Sequence, residues 1–151
     1  MTWKWHPLSR LPIKYDVIWC RFPHRPELAV PKDPAHPVIV RAIERDDASG
    51  QAIIHATYGT SNLKPEREEI DLLLRQRIEL HAAGLDRPTR FDLEDRFNLI
   101  PCLWTEEFFP LWRPSGHLDA NCVRRLENRL RWRLEDAAKV AAARPASSTP
   151  P

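Results

Sequence analysis

The stretch that decides the fold is residues 51–62, QAIIHATYGTSN, where alternating apolar side chains lead into a glycine and three small polar residues. Such alternation is typical of a strand that buries one face. The strand predicted over 51–57 follows a turn-like segment at 46–50, DDASG, and a β-branched run at 37–43. A further β-branched and aromatic run, DVIWCRF, covers 16–22. These three runs predict an antiparallel meander.

The segments after this meander carry both helix and strand signals. Residues 66–83 contain good helix formers, yet 70–72 fit a strand before a short helix that ends at Gly84. Residues 89–100 alternate in part and predict one or two strands. Fifteen prolines, many of them within 23–37, predict a long stiffened loop there.

A final helix is predicted over 119–138. Asp119 is expected to cap it, and Leu118 to pack on Val123 as a hydrophobic staple. An apolar stripe at helical spacing follows, formed by Val123, Leu126, Leu130 and Leu134. Strands followed by a terminal helix predict an α+β domain built on a small barrel. We expect this domain to span 15–138, between an N-terminal extension at 1–14 and a disordered tail at 139–151.

Composition limits the classes of function. A chain of 151 residues suits one domain, and a net charge of +2 means that a polyanion would have to bind a local patch. No apolar run matches a membrane span or a signal peptide. The three cysteines, at 20, 102 and 122, are widely spaced, which predicts a reducing cytoplasmic setting and no structural zinc.

Five motifs in order resemble the PemK/MazF family of toxins from bacterial toxin–antitoxin pairs. The resemblance covers about residues 15–133. The motifs are WCRFP at 19–23, PVIV at 37–40, YGTSN at 58–62, AGL with TRFDL between 83 and 93, and an arginine-rich final helix.

The resemblance implies a small antiparallel SH3-like barrel of the PemK/MazF/CcdB type with a C-terminal α-helix. It also implies a homodimer that cleaves single-stranded RNA and is neutralised by a cognate antitoxin protein. Cleavage in this family uses the RNA 2′-hydroxyl as nucleophile, with no metal and no cofactor. That chemistry needs a base, an acid and donors to the phosphorane.

Site residues follow from the same resemblance. Thr60 falls on the family's catalytic threonine, and Arg90 and Asp92 fall on its Arg-x-Asp pattern. The family's usual Arg-Pro is here His36-Pro37. We therefore expect Arg90 to replace the missing donor, Asp92 to act as base, Thr60 to donate to the phosphorane, and His36 to be an acid or phosphate contact. Further expected substrate contacts are Ser61, Asn62, Lys32 and Arg41.

Simpler interpretations of these residues stay open. Thr60 and Ser61 could form an ordinary turn next to Gly59, which we expect to let the backbone turn towards a phosphate. Arg90 and Asp92 could be a surface ion pair, and His36 a solvated loop histidine. The alternative function is a catalytically degenerate barrel that binds protein or nucleic acid. A gyrase-poisoning activity is a third possibility without support in specific residues.

Overall fold

The computed structural model describes residues 2–95 and 97–142, with side chains described as far as residue 134. Its strands are β1 (Asp16–Cys20), β2 (His36–Asp46), β3 (Gln51–Thr60), β4 (Leu72–Leu74), β5 (Thr89–Phe91), β6 (Ile100–Leu103) and β7 (Gly116–His117). Its α-helices are α1 (Arg77–Ala83) and α2 (Ala120–Ala142), and single 3₁₀ turns occur at Leu8–Arg10 and Pro65–Arg67.

The strands form one antiparallel sheet in the order β4-β5-β3-β2-β1-β7, with β6 also paired to β3. Strand β3 is the centre of this sheet: one of its edges pairs with β2, and the other pairs with both β6 and β5. Residues 53–56 pair with β6, whereas Gly59 and Thr60 pair with β5. The sheet therefore curls at β3 into a half-barrel, and α2 follows it in the chain. The predicted α+β class and the antiparallel meander are confirmed.

Both faces of the central strands are buried, which explains their dense apolar composition. On β1, Ile18 lies in one core cluster and Val17 in the other. The first cluster is closed by Trp104, Phe108 and Phe109 from the segment after β6. The second contains side chains from β4, α1 and α2. The sheet is therefore a layer between two cores.

The N-terminal segment predicted as an extension packs against the first core. Trp5 forms a β-bridge with Thr105, and the Trp3 ring lies 5.6 Å from that of Phe108. The backbone amide of His6 donates to the carbonyl of Trp104 at 2.9 Å. Residues 2–14 thus contribute to the same packed domain. Of the predicted tail, 139–142 continue α2, and 143–151 lie outside the described residues.

The ambiguous segments resolve into short elements. The strand expected at 70–72 lies at 72–74, and α1 ends at Gly84, whose φ of 68° lies in the left-handed region. Residues 89–100 contribute β5 and the start of β6. Neither α1 nor α2, over the residues described, combines the length and the apolar composition that a membrane-spanning helix needs.

Helix α2 begins as predicted, but the buried part of its apolar stripe ends before Leu134, the last residue of the predicted stripe. Oδ1 of Asp119 accepts a hydrogen bond from the amide of Cys122 at 2.8 Å, which caps the helix. Leu126 is fully buried, whereas Leu134 is 73% exposed. The expectation that Leu134 packs on the barrel is wrong, because its side chain faces solvent at this turn of the helix. Trp132, on the same turn, is 60% exposed.

Leucine-to-alanine substitutions on α2 test this boundary. Leu126→Ala should lower the free energy of unfolding by about 2–5 kcal/mol because it opens a cavity in the second core. The matched Leu134→Ala should change it by less than about 0.5 kcal/mol. Chemical denaturation monitored by circular dichroism measures both; equal losses would contradict the described end of the packed stripe.

Candidate functional site

A pocket of about 540 Å³ opens beside the first residues of β2, just beyond the end of β3. Its rim combines a sheet edge with the loop between α1 and β5. The side chains most relevant to chemistry are Trp19, His36, Ser61, Asp86, Arg87 and Thr89. The pocket therefore joins an aromatic surface to an imidazole, a guanidinium and hydroxyl groups.

The sheet register brings the predicted residues to this place. Val38 of β2 pairs with Tyr58 of β3, so continuing the ladder by two residues sets His36 opposite Thr60. Trp19 pairs with Pro37 on the other side of β2. His36 and Thr60, which are more than 20 positions apart in the chain, are thus neighbours at one end of the central strands.

His36 belongs to a small polar cluster at the inner edge of the pocket. Its Nε2 lies 3.4 Å from the hydroxyl of Tyr58, and the side chain of Thr60 opposes the rise in the pKa of that phenol. Neither Tyr58 nor Thr60 lines the pocket itself. Burial lowers the pKa of His36 below its ordinary value of 6.5, although a hydrogen bond with the backbone of Gly59 opposes the shift. His36 is therefore neutral at pH 7, a state that accepts a proton.

Tyr58 lies at the centre of an aromatic group. Its ring centroid lies 5.1 Å from that of Phe22, 5.4 Å from Phe97, 4.8 Å from His36 and 6.5 Å from His24. Burial raises the pKa of Tyr58, so its hydroxyl keeps the proton at neutral pH. The phenol can therefore donate a hydrogen bond into the site.

The structural role of Gly59 differs from the expected one. It continues β3 and is not among the residues with positive φ, so it forms no turn. A Cβ at this position would lie 2.6 Å from the Phe91 ring and 2.6 Å from the carbonyl oxygen of Pro37. Glycine is required because β5 and β2 approach the backbone closely on both sides. The expectation of a glycine turn is wrong for this packing reason.

The chain turns one residue later. The hydroxyl of Thr60 accepts a hydrogen bond from the amide of Asn62 at 3.2 Å, which closes a short turn. Ser61, at the tip, is exposed and lines the pocket. Asn62 contributes its backbone carbonyl to a bond with Arg90. The turn itself thus presents the Ser61 hydroxyl to the pocket.

Arg90 and Asp92 lie in a buried charge cluster behind this turn. Nη1 of Arg90 donates to Asp71 at 2.8 Å and to Asp92 at 2.7 Å, and its Nε donates to the carbonyl of Asn62 at 2.9 Å. Oδ1 of Asp92 accepts from the amide of Glu94. Neither side chain lines the pocket. The shared face predicted for them is present, but it points into protein.

Asp71 is the fully buried centre of this cluster. Burial raises its pKa, yet hydrogen bonds from Arg67, the amide of Leu93 and Arg90 outweigh that effect and hold the pKa below its ordinary value. Nε of Arg67 donates to Asp71 at 2.7 Å, and this contact raises the pKa of Arg67. Asp71 is therefore a carboxylate that joins β4, β5 and the segment before them.

The remaining predicted contacts lie elsewhere. Arg41 sits at a β-bulge and donates to Thr57 at 3.1 Å and Asn98 at 2.7 Å. Lys32 lies in the proline-rich loop with its Nζ 3.9 Å from Glu27. Neither residue lines the pocket. Their predicted role in substrate binding stays a prediction without support from this geometry.

Several pocket residues were not assigned a role from sequence. Trp19 and Thr89 stood inside the quoted motifs WCRFP and TRFDL, so a signal for them existed. Asp86 and Arg87 carried no signal, because only the α1–β5 loop brings them to the pocket. Among the described residues, no group of three or more His, Cys, Asp or Glu side chains could hold a metal ion.

Replacing Arg90 tests the buried cluster. Arg90→Ala should lower the free energy of unfolding by about 3–5 kcal/mol, because the buried carboxylates of Asp71 and Asp92 then share Arg67 as their one remaining cationic partner among the described residues. Arg87→Ala is the control: that side chain is 68% exposed and should contribute less than about 0.5 kcal/mol. Denaturant unfolding at pH 7 measures both, and a near-neutral Arg90→Ala would show that the cluster does not support the fold.

Comparison with models of protein families and with curated proteins gives no match for this chain. The site is therefore interpreted from its own geometry. What the structure assembles is a pocket lined by Trp19, His36 and Ser61, with the hydroxyl of Tyr58 next to His36 just outside that lining.

Proposed function

We propose that the chain is a metal-independent endoribonuclease that cleaves single-stranded RNA in this pocket, as the resemblance to PemK/MazF toxins implies. The observation that supports it most is that His36 and Ser61 line the same open pocket and that Nε2 of His36 lies 3.4 Å from the hydroxyl of Tyr58. The curled half-barrel followed by a C-terminal helix is compatible with the SH3-like barrel of that family. In this proposal the protein works in the bacterial cytoplasm.

RNA binding would use the two kinds of surface in the pocket. Trp19 offers a ring on which a base can stack, and stacking of this kind accepts any base. Arg87 is exposed and placed to contact a phosphate, although its Nε also donates to Asp86 at 3.2 Å. The Ser61 hydroxyl can hydrogen-bond the ribose or phosphate. A single-stranded segment fits this pattern because its bases are free to stack.

Cleavage would begin with proton transfer to His36. Neutral Nε2 accepts the proton of the 2′-hydroxyl, and the resulting oxygen attacks the adjacent phosphorus. The hydroxyls of Tyr58 and Thr60 donate to the phosphorane oxygens. The products are a 2′,3′-cyclic phosphate and a 5′-hydroxyl. His36 thus takes the role of base that the sequence had suggested for Asp92.

Arg90 and Asp92 take a supporting role in this proposal. The bond from Arg90 Nε to the Asn62 carbonyl fixes the turn that carries Ser61. Because the guanidinium already bonds Asp71 and Asp92, it would have to leave both to reach a phosphate. Positioning of the 60–62 turn is therefore the role most compatible with its contacts.

A catalytically degenerate binding module is the second candidate. It is favoured by the replacement of the family arginine by His36 and by the pairing of Arg87 with Asp86, which leaves the pocket with little net positive charge. RNA that binds but is never cut by purified protein would support this candidate instead.

Replacing His36 tests the enzyme proposal. His36→Ala should reduce cleavage of single-stranded RNA by about 10²–10⁴-fold, the usual contribution of a general base. EDTA should not affect the wild-type rate, and the acid limb of the pH–rate profile should fall below pH 6.5 because of the lowered pKa. His55→Ala, on β3 and paired with Glu44, is the control. Wild-type protein that cuts no RNA would refute the proposal.

The proposal includes a homodimer and a neutralising antitoxin as partners. Trp132 on α2 is an exposed aromatic side chain, a type that is enriched at protein interfaces. Light scattering at tens of micromolar should show a dimer, whose interface would bury about 1,200 Å² or more. Trp132→Glu should weaken it, and Arg131→Glu, also exposed on this helix, should not. A monomer under these conditions would contradict this part.

A further inference from the structure

We propose that His24 is the general acid that protonates the leaving oxygen, so that the site uses a pair of histidines. His24 lies in the loop between β1 and β2, and its ring contacts Tyr58 edge-on at 6.5 Å between centroids. His36 contacts the same phenol at 4.8 Å. This inference rests on the proposed ribonuclease activity and adds a residue that the sequence resemblance did not suggest.

The chemistry requires a second group. Once His36 is neutral and accepts a proton, it cannot also protonate the departing 5′-oxygen in the same step. The hydroxyl of Tyr58 is a weak acid, since burial raises its pKa further. Arg90 is enclosed by Asp71 and Asp92. The imidazole of His24 contacts the same phenol and can carry a transferable proton on a ring nitrogen, which makes it the suitable donor.

The loop that carries His24 is held in place by its own contacts. The carbonyl of His24 accepts from the amide of Glu27 at 2.9 Å, which closes a turn directly after the histidine. The base of the loop is joined by the ion pair between Arg21 and Asp33 at 2.8 Å, and by the amide of Lys32, which donates to the carbonyl of Arg21. A long loop braced in this way can hold a side chain in a defined place.

The surroundings of His24 leave its imidazole accessible to a bound substrate. The residue is exposed, and the titratable groups that face it from the sheet are Tyr58 of β3 and His36 of β2. Arg25 and Glu27 flank it in its own loop. Among the described residues, no carboxylate forms an ion pair with His24, whereas His55 and His117 each have one. Its imidazole is therefore available to substrate.

The complete step balances. Nε2 of His36 takes the proton of the 2′-hydroxyl while the new 2′-oxygen–phosphorus bond forms. The phosphorus–5′-oxygen bond breaks, and protonated His24 delivers its proton to that oxygen. The enzyme ends with His36 protonated and His24 neutral, and a single proton exchange with water restores both. In this proposal the reacting phosphate lies beside the Tyr58 ring, which both imidazoles contact.

The experiment compares two substrates that differ only in the leaving atom. One is an oligoribonucleotide with a normal 5′-oxygen at the cleaved bond, and the other has a 5′-sulfur there, which leaves as a thiolate and needs no acid. His24→Ala should slow cleavage of the normal substrate by about 10²-fold or more. It should cleave the sulfur substrate at close to the wild-type rate. His36→Ala should be slow on both, because the base is still required.

Controls separate this inference from the proposed function. His81→Ala, an exposed histidine on α1, should behave as wild type with both substrates. Active wild type with an unimpaired His24→Ala would overturn the histidine pair and leave the ribonuclease proposal intact. A His24→Ala that is equally slow on both substrates would show a structural role and would also overturn it. Wild type inactive on both substrates would refute the proposed function itself.

Discussion

The buried guanidinium of Arg90 is the interaction on which the rest of the structure depends. It joins Asp71, next to β4, to Asp92, which follows β5, and it also bonds the carbonyl of Asn62 in the turn after β3. A buried charge is tolerated only when paired and fully hydrogen-bonded. These three partners therefore have to be in place together, which fixes the end of the barrel where the pocket opens. The cluster joins these segments through charges that are buried.

Close packing at Gly59 is the second constraint. The Phe91 ring and the Pro37 carbonyl each approach the position where a Cβ would lie. This approach lets β2, β3 and β5 meet at one place, so that His36 and Thr60 become neighbours. The pocket exists because the ladder ends there and the α1–β5 loop covers the opening from the other side. The arrangement of the site thus follows from backbone packing. A larger residue in place of Gly59 would push the strands apart and separate His36 from Thr60.

The site differs from the expected one in where charge is placed. The two groups with permanent charge, Arg90 and Asp92, neutralise one another inside the protein. The groups at and beside the pocket are those whose protonation depends on their surroundings. Burial lowers the pKa of His36 and raises the pKa of Tyr58. Such an edge can transfer protons but offers little fixed positive charge to a phosphate. Binding would therefore depend more on stacking at Trp19 and on Arg87 than on a strong electrostatic field.

The sequence by itself determined the central meander, the cap of α2 at Asp119 and the end of α1 at Gly84, because alternation, capping and glycine chemistry act over a few residues. It also brought His36 and Thr60 forward as candidates. Only the tertiary structure decided which predicted residues face solvent. Arg90 and Asp92 share a face as their spacing requires, but whether that face is open or covered depends on Asp71, about 20 positions away. The same holds for Leu134, which continues the helical spacing of the apolar stripe but is exposed to solvent. Local patterns fix periodicity, whereas burial depends on contacts between distant segments.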